Sequence, residues 1–296
     1  MKREPKADKP GESGPINWRE IDALRTKLAT PRLSAEHVEG EQVKLISYDF
    51  NDKKRFPKLL PRVELLHLTD LQVGSKNFVR SRFVEYRDWM LSEPYRFGLL
   101  GGDLVDAATV LSIASPYENT KEPIYQVREV VELLRPLADA GRLLAYVGGN
   151  HERRTRKTYG DCGVEIADRL SIPYSQGIQL IDIWFGKHRP FKVALWHGKG
   201  SPRTKGAIAQ MLDRFMAQND SQAYFVGHVH NPLVLPGWRQ LRLDGKIKFQ
   251  KIMGVVSSSF QAYWNSYAEE AAMSPSETMM GRVILEPNGH WETTLR

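Results

Sequence analysis

Six carboxylate, amide and imidazole side chains in this sequence each follow a short apolar run. Oxygen and imidazole nitrogen are the donors that bind divalent cations in proteins without cysteine. Glycine flanks most of these positions and lets the backbone approach a metal or a phosphate closely. The sequence therefore predicts a metal centre. Its candidate ligands are Asp70, Asp103, Asn150, His197, His228 and His230.

The chemistry open to such a set is hydrolysis of a phosphoester. A pair of divalent cations about 3.5 to 4 Å apart needs a bridging carboxylate, further oxygen ligands and neutral imidazoles. A hydroxide held between the cations can then attack phosphorus in line with the leaving oxygen. Each short motif is weak alone, but their joint occurrence in this order predicts a dinuclear metal-dependent phosphoesterase.

Strands interleaved with helices must position these side chains, because short apolar runs alternate with amphipathic stretches from residue 62 onward. Five predicted strands run directly into the segments TDLQ, GGDLVD, GGNHE, HGKG and GHVH. In open α/β sheets, ligands bind at that edge. The predicted strands are 63–68, 97–100, 143–147, 191–196, 223–226 and 251–257. The predicted helices are 78–91, 122–140, 163–170 and 205–217.

These segments resemble the motifs of the calcineurin-like metallophosphoesterases, which are D-x-H, G-D-x-x-D, G-N-H-[DE], H and G-H-x-H. The resemblance covers roughly residues 62–286. It implies an α/β fold of four layers, α-β-β-α, in which two mixed β-sheets are flanked by helices. It also implies that Asp70 and His230 hold a first metal. The second metal would be held by Asn150, His197 and His228, with Asp103 as the bridge.

The same resemblance implies a catalytic role for His151, the histidine beside the ligand Asn150. It would stabilise the transition state or protonate the leaving oxygen. Asp106 would orient the imidazole and raise its basicity. A role for Asp106 in capping the segment that follows is the alternative.

Gln72 departs from the family pattern, which has histidine two residues after the first aspartate. An amide oxygen can bind a metal, but it is a harder and weaker donor than imidazole. We therefore expect two divalent ions with Mn²⁺ favoured, Mg²⁺, Fe²⁺ and Zn²⁺ being compatible, and a labile first metal. The alternative is that Gln72 only hydrogen-bonds a water or the substrate.

Basic residues follow two of the motifs and predict a substrate with several phosphates, most simply nucleic acid. The alternative is a solvated charged face. The aromatic residues of 257–270 could stack unpaired bases beside this surface, or could be core residues. The candidate substrate-binding residues are Arg153, Arg154, Arg156, Lys199 and Arg203, with Lys157 and Lys205 adjacent to them.

Three functions are compatible with this pattern. The first is a nuclease or phosphodiesterase similar to the catalytic domain of SbcD-type nucleases, which the basic clusters favour. The second is a phosphatase, although the arginine and glycine that follow GDxxD in serine/threonine phosphatases are replaced here by Ala107 and Ala108. The third is an inactive metal-bound scaffold, which Gln72 would favour and His151 would not.

Composition limits the remaining possibilities. The chain has 296 residues, 41% of them apolar, and a net charge of +7, which suits a polyanionic partner. A single cysteine, Cys162, excludes a cysteine-based zinc cluster. The N-terminus is charged and no long apolar run occurs, so we expect a cytoplasmic protein without a membrane span. The expected organisation is a disordered tail at 1–15, a helical arm at 16–55 and the catalytic domain at 56–296.

Overall fold

The computed structural model describes residues 44–108, 112, 119–156, 160–243 and 245–296. Within them, parallel strands joined by helices form the centre of the fold. The strands are β1 (Leu45–Asp49), β2 (Val63–Leu68), β3 (Arg96–Leu100), β4 (Leu143–Val147), β5 (Tyr174–Ser175), β6 (Gln179–Trp184), β7 (Phe191–Trp196), β8 (Ala223–Val226), β9 (Leu233–Leu243), β10 (Lys246–Val256), β11 (Gly281–Leu285) and β12 (Trp291–Leu295). The helices are α1 (Arg80–Leu91), α2 (Pro123–Asp139), α3 (Asn150–Thr155), α4 (Cys162–Leu170), α5 (Lys205–Gln218) and α6 (Tyr267–Glu270).

The strands form two mixed sheets of six strands each within the described residues. Sheet one has the order β12-β11-β2-β3-β4-β5, and its strands β2 to β5 are parallel. Sheet two has the order β1-β6-β7-β8-β10-β9, in which β7, β8 and β10 are parallel. Parallel neighbours need crossover connections, and α1 and α2 supply two of them in sheet one.

The fold has four layers, because each sheet packs against the other sheet on one face and against helices on the other. Successive side chains of β2 point to opposite faces, so Leu65 packs between the sheets while Leu66 packs towards the helices. Helices α1, α2 and α4 cover sheet one, and α5 covers sheet two through Leu212 and Phe215. The predicted α-β-β-α sandwich of two mixed sheets is thus confirmed.

The N-terminal part of sheet two starts earlier than the sequence indicated. Strand β1 lies inside 16–55, the segment expected to be a helical arm, and pairs in parallel with β6. Its burial pattern alternates, because Ile46 and Tyr48 are buried while their neighbours are less so. The sheet therefore includes residues before the expected boundary at 56. The predicted tail at 1–15 and residues 16–43 of the expected helical arm lie outside the described residues.

The loops that carry the candidate ligands meet because their strands are parallel. Asp70 N–H donates to Gly102 O at 2.9 Å, and Gln72 N–H donates to Asp103 O at 2.9 Å. In sheet two, Gly227 N–H donates to His197 O at 3.0 Å. The ends of β2, β3, β7 and β8 are thus tied together at one edge.

No helix among the described residues is both long and apolar enough to cross a bilayer.

Candidate metal centre

Backbone strain marks the loops of the candidate site. Asp70, Gln72, Asp103, His228 and His230 all have positive φ angles, between 49° and 69°. Residues with a Cβ rarely adopt this conformation, and it costs about 1 kcal/mol or more for each residue. Such strain persists only where the surrounding structure imposes it, and it concentrates at functional sites. Five of the seven predicted ligands are held in this way.

The inner half-site, which we define as Asn150, His197 and His228, adjoins the buried carboxylate of Asp103. His197 Nε2 lies 3.2 Å from Asp103 Oδ2 and 3.1 Å from Asn150 Oδ1. Asp103, His197 and His228 can each offer one donor atom such that all three atoms lie within 4.8 Å of one another. These groups come from three separate strand ends and form a possible metal-binding cluster.

Backbone carbonyls fix both imidazoles of the inner half-site. His197 Nδ1 lies 2.7 Å from Gly101 O, and His228 Nε2 lies 2.6 Å from Gly200 O. A ring nitrogen that donates to a carbonyl leaves the lone pair on the other nitrogen, which is how metal-binding histidines are usually oriented. Ligands that share one cation with bonds of about 2.1 Å stand about 3 Å apart. The donor set therefore fits a divalent cation.

The outer half-site, which we define as Asp70, Gln72 and His230, is built differently. His230 Nε2 lies 3.0 Å from Asp70 Oδ1 and 3.5 Å from Gln72 Nε2. Asp70 Oδ2 accepts a hydrogen bond from His228 N–H at 2.9 Å, so Asp70 also connects the two half-sites. The structure thus brings all seven predicted ligands, including Gln72, to one edge of the fold.

The carboxylates and imidazoles shift each other's ionisation. Burial raises the pKa of Asp103. The charges of His151 and His197 have the opposite and larger effect, so the pKa lies well below the ordinary value. Burial likewise opposes ionisation of Asp70, and His230 lowers its pKa overall. Burial disfavours protonation of His197, yet Asp103 raises its pKa to about 10. Without a metal, protons on the imidazoles compensate the buried carboxylates.

His151 lies beside the ligands with one ring nitrogen anchored. Its Nδ1 is 2.7 Å from Asp106 O and 3.3 Å from Asp106 Oδ1, so the backbone carbonyl is the nearer partner. Its Nε2 lies 3.5 Å from Asp103 Oδ2. Burial lowers the pKa of His151 and Asp103 raises it, with a net increase that the charge of Arg154 opposes. The imidazole can therefore hold a proton on Nε2.

Glu152 has a role that the sequence analysis missed. This fully buried carboxylate accepts hydrogen bonds from Asp103 N–H at 3.0 Å, Leu104 N–H at 2.8 Å and Gly149 N–H at 2.9 Å. Tyr146 Oη donates to it at 3.0 Å. Burial, followed by the charge of Asp103, raises the pKa of Glu152. Glu152 therefore fastens the Asp103 loop to the loop that precedes α3, and its place after His151 in the sequence was the only signal.

The predicted substrate-binding arginines are partly engaged with the protein. Arg153 Nη2 donates to Gln176 O at 3.0 Å, and Arg156 Nη2 pairs with Asp161 Oδ2 at 2.8 Å. Arg154 Nη1 lies 3.1 Å from both Asp106 O and His151 Nδ1, close to the candidate catalytic groups. Of the second cluster, Lys199 and Lys205 are exposed and Arg203 is exposed as well. Lys157 lies outside the described residues.

Two side chains of metal-binding type that are not among the candidate ligands, His67 and Cys162, lie in the interior. His67 is fully buried, its Nδ1 is 2.8 Å from Ser257 Oγ, and burial lowers its pKa to about 3. Cys162 is buried among apolar side chains that cover sheet one. In the aromatic segment, Phe260 is core and its N–H donates to Asp70 O at 3.1 Å, whereas the side chain of Trp264 is 70% exposed.

Comparisons with known proteins add little to this geometry. No protein-family model matches the chain, and no curated protein matches it. Among solved structures, it is similar to a conserved uncharacterized protein from Streptococcus pneumoniae TIGR4 that is described as a predicted phosphoesterase. The identity is 12%, the TM-score is 0.33, and the match covers 80% of this chain and 99% of that one. A likeness this slight carries no argument, so the case for the chemistry rests on the site.

Proposed function

We propose that this chain is a metal-dependent phosphoesterase that hydrolyses phosphodiester bonds with two divalent cations, and that its substrate is nucleic acid. The observation that carries the proposal is the pairing of a metal-ligand set with a non-ligand acid-base group. Asp103, His197 and His228 converge within 4.8 Å, and His151 Nε2 lies 3.5 Å from Asp103 Oδ2. A structural metal site has no use for such a group.

Asp103 would connect the two half-sites, since its carboxylate lies 3.2 Å from His197 Nε2 of the inner one and its carbonyl accepts from Gln72 N–H of the outer one. Asn150, His197 and His228 would hold one cation, and Asp70, Gln72 and His230 the other. When bound, two divalent cations neutralise charge on the phosphate and lower the pKa of the attacking water. The chain contributes ligands that are already oriented, because Glu152 and backbone carbonyls hold them.

His151 would assist departure of the leaving oxygen. Its Nδ1 faces the Asp106 carbonyl, which leaves Nε2 as the atom that faces the candidate ligands. The raised pKa, which Asp103 causes against the effect of burial, favours a protonated imidazole near neutral pH. A proton on Nε2 can then pass to the alkoxide as the phosphorus–oxygen bond breaks, a step that typically contributes about 10² to 10⁴ in rate.

Charge near the site supports a nucleic acid as substrate. Arg154 is adjacent to His151, and the exposed Lys199 and Arg203 follow the ligand His197 along the chain. Cations around a hydrolytic centre suit a polymer with several phosphates better than a small ester. The amide at Gln72 supports Mn²⁺ as the preferred metal, since a harder donor set disfavours Zn²⁺.

The test uses metal-stripped protein supplied with Mn²⁺ and a panel of substrates. The panel is a small aryl phosphodiester, an aryl phosphomonoester, and labelled single- and double-stranded DNA and RNA. We expect cleavage of the diester and of nucleic acid, with a loss of about 10² to 10⁴ in the His151→Ala variant at unchanged metal content. His188→Ala, at an exposed histidine, is the matched control.

Each outcome separates the candidate functions. Turnover of the monoester alone would move the assignment to a phosphatase. Turnover of the small diester without nucleic acid cleavage would retain the phosphodiesterase and reject the polymer substrate. Full activity in His151→Ala would overturn the role of this residue, and no activity on any substrate would favour a metal-bound scaffold.

A further inference from the structure

A long two-stranded hairpin extends sheet two beyond the packed layers. Strands β9 and β10 pair along eleven residues each. Near its base, Val255 packs between the sheets and Val256 packs on the α5 side. Further out, the side chains of Trp238, Ile247 and Phe249 are 70%, 61% and 71% exposed. Large apolar groups this exposed on one hairpin are typical of an interaction surface.

On one face of the hairpin, apolar side chains lie opposite polar ones across the pair of strands. Residues directly opposite each other in an antiparallel pair lie on the same face. Each exposed apolar side chain of this face is therefore beside a polar or cationic one. The opposed pairs are Trp238 with Lys251, Phe249 with Gln240, and Ile247 with Arg242.

The charge of the two strands has a single sign. They contain five cations and no acid, and Asp244 between them lies outside the described residues. Arg239 pairs with Asp220 at 2.9 Å, and Lys251 lies 4.6 Å from the ring centroid of Trp291. The exposed Lys246 and Lys248 lie on the opposite face from Phe249, near the tip. Such a surface attracts a polyanion.

The hairpin is remote from the metal centre. β10 is parallel to β8, whose end leads to His228, so the metal centre lies at the end of β10 and the tip at its start. At about 3.3 Å per residue, Phe249 is roughly 23 Å along the strand from Val256. The outer part of the hairpin is therefore separate from the metal centre.

We propose that the β9–β10 hairpin binds single-stranded nucleic acid, with Trp238 and Phe249 stacking on bases and the neighbouring cations contacting phosphates. Exposed aromatic side chains beside cations are the means by which proteins bind unpaired strands without sequence preference. The proposal goes beyond the proposed function, because it concerns a second surface and needs no metal. It can fail while the hydrolytic assignment stands.

Two other partners fit this surface less well. A second copy of the chain would bring the same five cations against themselves, which opposes association. A lipid surface favours a continuous apolar face, whereas here Gln240, Arg242 and Lys251 interrupt the apolar side chains. A nucleic acid satisfies both the aromatic and the cationic groups.

The test is fluorescence anisotropy of a labelled single-stranded oligonucleotide with the full chain, in the presence of a chelator that prevents hydrolysis. We expect Trp238→Ala and Phe249→Ala each to weaken binding about tenfold. Arg242→Gln, at the exposed cation opposite Ile247 on the aromatic face, should reduce the slope of log affinity against log salt by about 0.7. Lys53→Gln removes equal charge after β1, at the other edge of sheet two, and should leave both quantities close to wild type.

The control readouts separate this proposal from the proposed function. Hairpin variants should retain wild-type turnover of the small aryl phosphodiester, since they lie far from the metal centre. Oligonucleotide affinity that is absent, or unchanged in the aromatic variants, would overturn the proposal even if the ester is hydrolysed. So would a dimer that Trp238→Ala dissociates, or binding to anionic vesicles that the aromatic variants alone abolish.

Discussion

The two half-sites of the candidate metal centre differ in how firmly the fold holds them. The side chain of His197 in the inner half-site is 1% exposed, whereas that of His230 in the outer half-site is 30% exposed. Carbonyls of Gly101 and Gly200 fix the inner imidazoles. The outer half-site has an amide, Gln72, beside its single imidazole, His230.

This difference shows how one set of ligands can bind two metals with unequal affinity. A buried, oriented donor loses little freedom when it binds an ion, and its neighbours have already compensated its desolvation. A half-buried imidazole beside an amide has less of both advantages. We therefore expect a tightly bound inner metal and a labile outer metal, with Asp103 as the group that both share.

The largest effect should come from Asp103→Ala, which removes the carboxylate that we propose both half-sites share. We expect loss of both metals and of all phosphodiester turnover, measured by elemental analysis and an aryl diester assay. Asp182→Ala, at a carboxylate on β6, is a control that should retain both. Retention of two metals by Asp103→Ala would contradict the shared-ligand role.

Glu152→Ala should weaken metal binding mainly at the inner half-site. It leaves the buried N–H groups of Gly149, Asp103 and Leu104 without their acceptor, which should lower the free energy of unfolding by about 3 kcal/mol. Inner-metal affinity should fall about 10- to 100-fold because Gly149, which precedes the inner ligand Asn150, is no longer fastened to the Asp103 loop. Urea unfolding and metal titration measure the two effects.

The matched control for Glu152 is Glu64→Ala, at another buried carboxylate. Glu64 pairs with Arg62 at 2.7 Å and Arg96 at 3.3 Å, at the end of β2 away from the ligands. Its loss should also destabilise the fold by about 3 kcal/mol. Metal affinity should change only in Glu152→Ala, and an equal change in both variants would reduce Glu152 to a general stability role.

The inner half-site should also have a marked pH dependence. Asp103 raises the pKa of His197 to about 10 despite burial, from an ordinary 6.5. The protonated imidazole thus stabilises the metal-free fold fully below about pH 6.5, and this contribution is lost as pH rises towards 10. A metal needs the neutral ring, so inner-metal affinity should rise by up to about tenfold per pH unit across that range.

Calorimetry at pH 8 in buffers of different ionisation enthalpy measures this directly. About one proton should be released for each inner metal bound, because His197 is protonated beforehand. Metal binding without proton release would show that His197 is neutral in the metal-free protein.

The smallest effect should come from Gln72→His, which gives the outer half-site a second imidazole, as the inner half-site has. An imidazole in place of the amide should raise outer-metal affinity by no more than about tenfold and shift preference towards Zn²⁺. Competition with a metal-sensitive dye measures the change. Gln240→His, on the exposed hairpin, is the control that should leave affinity unaltered, and an unaltered Gln72→His would favour a water- or substrate-binding role.

Local sequence patterns were enough to predict the bounds of the central strands. Strands β2, β4, β7 and β8 have the predicted bounds, because fully buried strands appear as continuous apolar runs. Strands β1, β5, β6, β9, β11 and β12 were not predicted. They alternate buried and less buried residues or lie at edges, and such short patterns do not stand out from loops.

The sequence by itself determined which residue types are available to a metal and that they follow strand ends. Parallel strands place their ends at one edge of a sheet, so the convergence of Asp70 and Asp103 in sheet one followed from the chain. His197 follows a strand of sheet two and meets them only through the packing of the two sheets. Only the tertiary structure decided how they are held. Glu152 acts through backbone groups 48 and 49 residues away, and the side chain of His197 is 1% exposed where that of His230 is 30% exposed. Contacts between distant segments and burial depend on packing, which no local pattern of residues encodes.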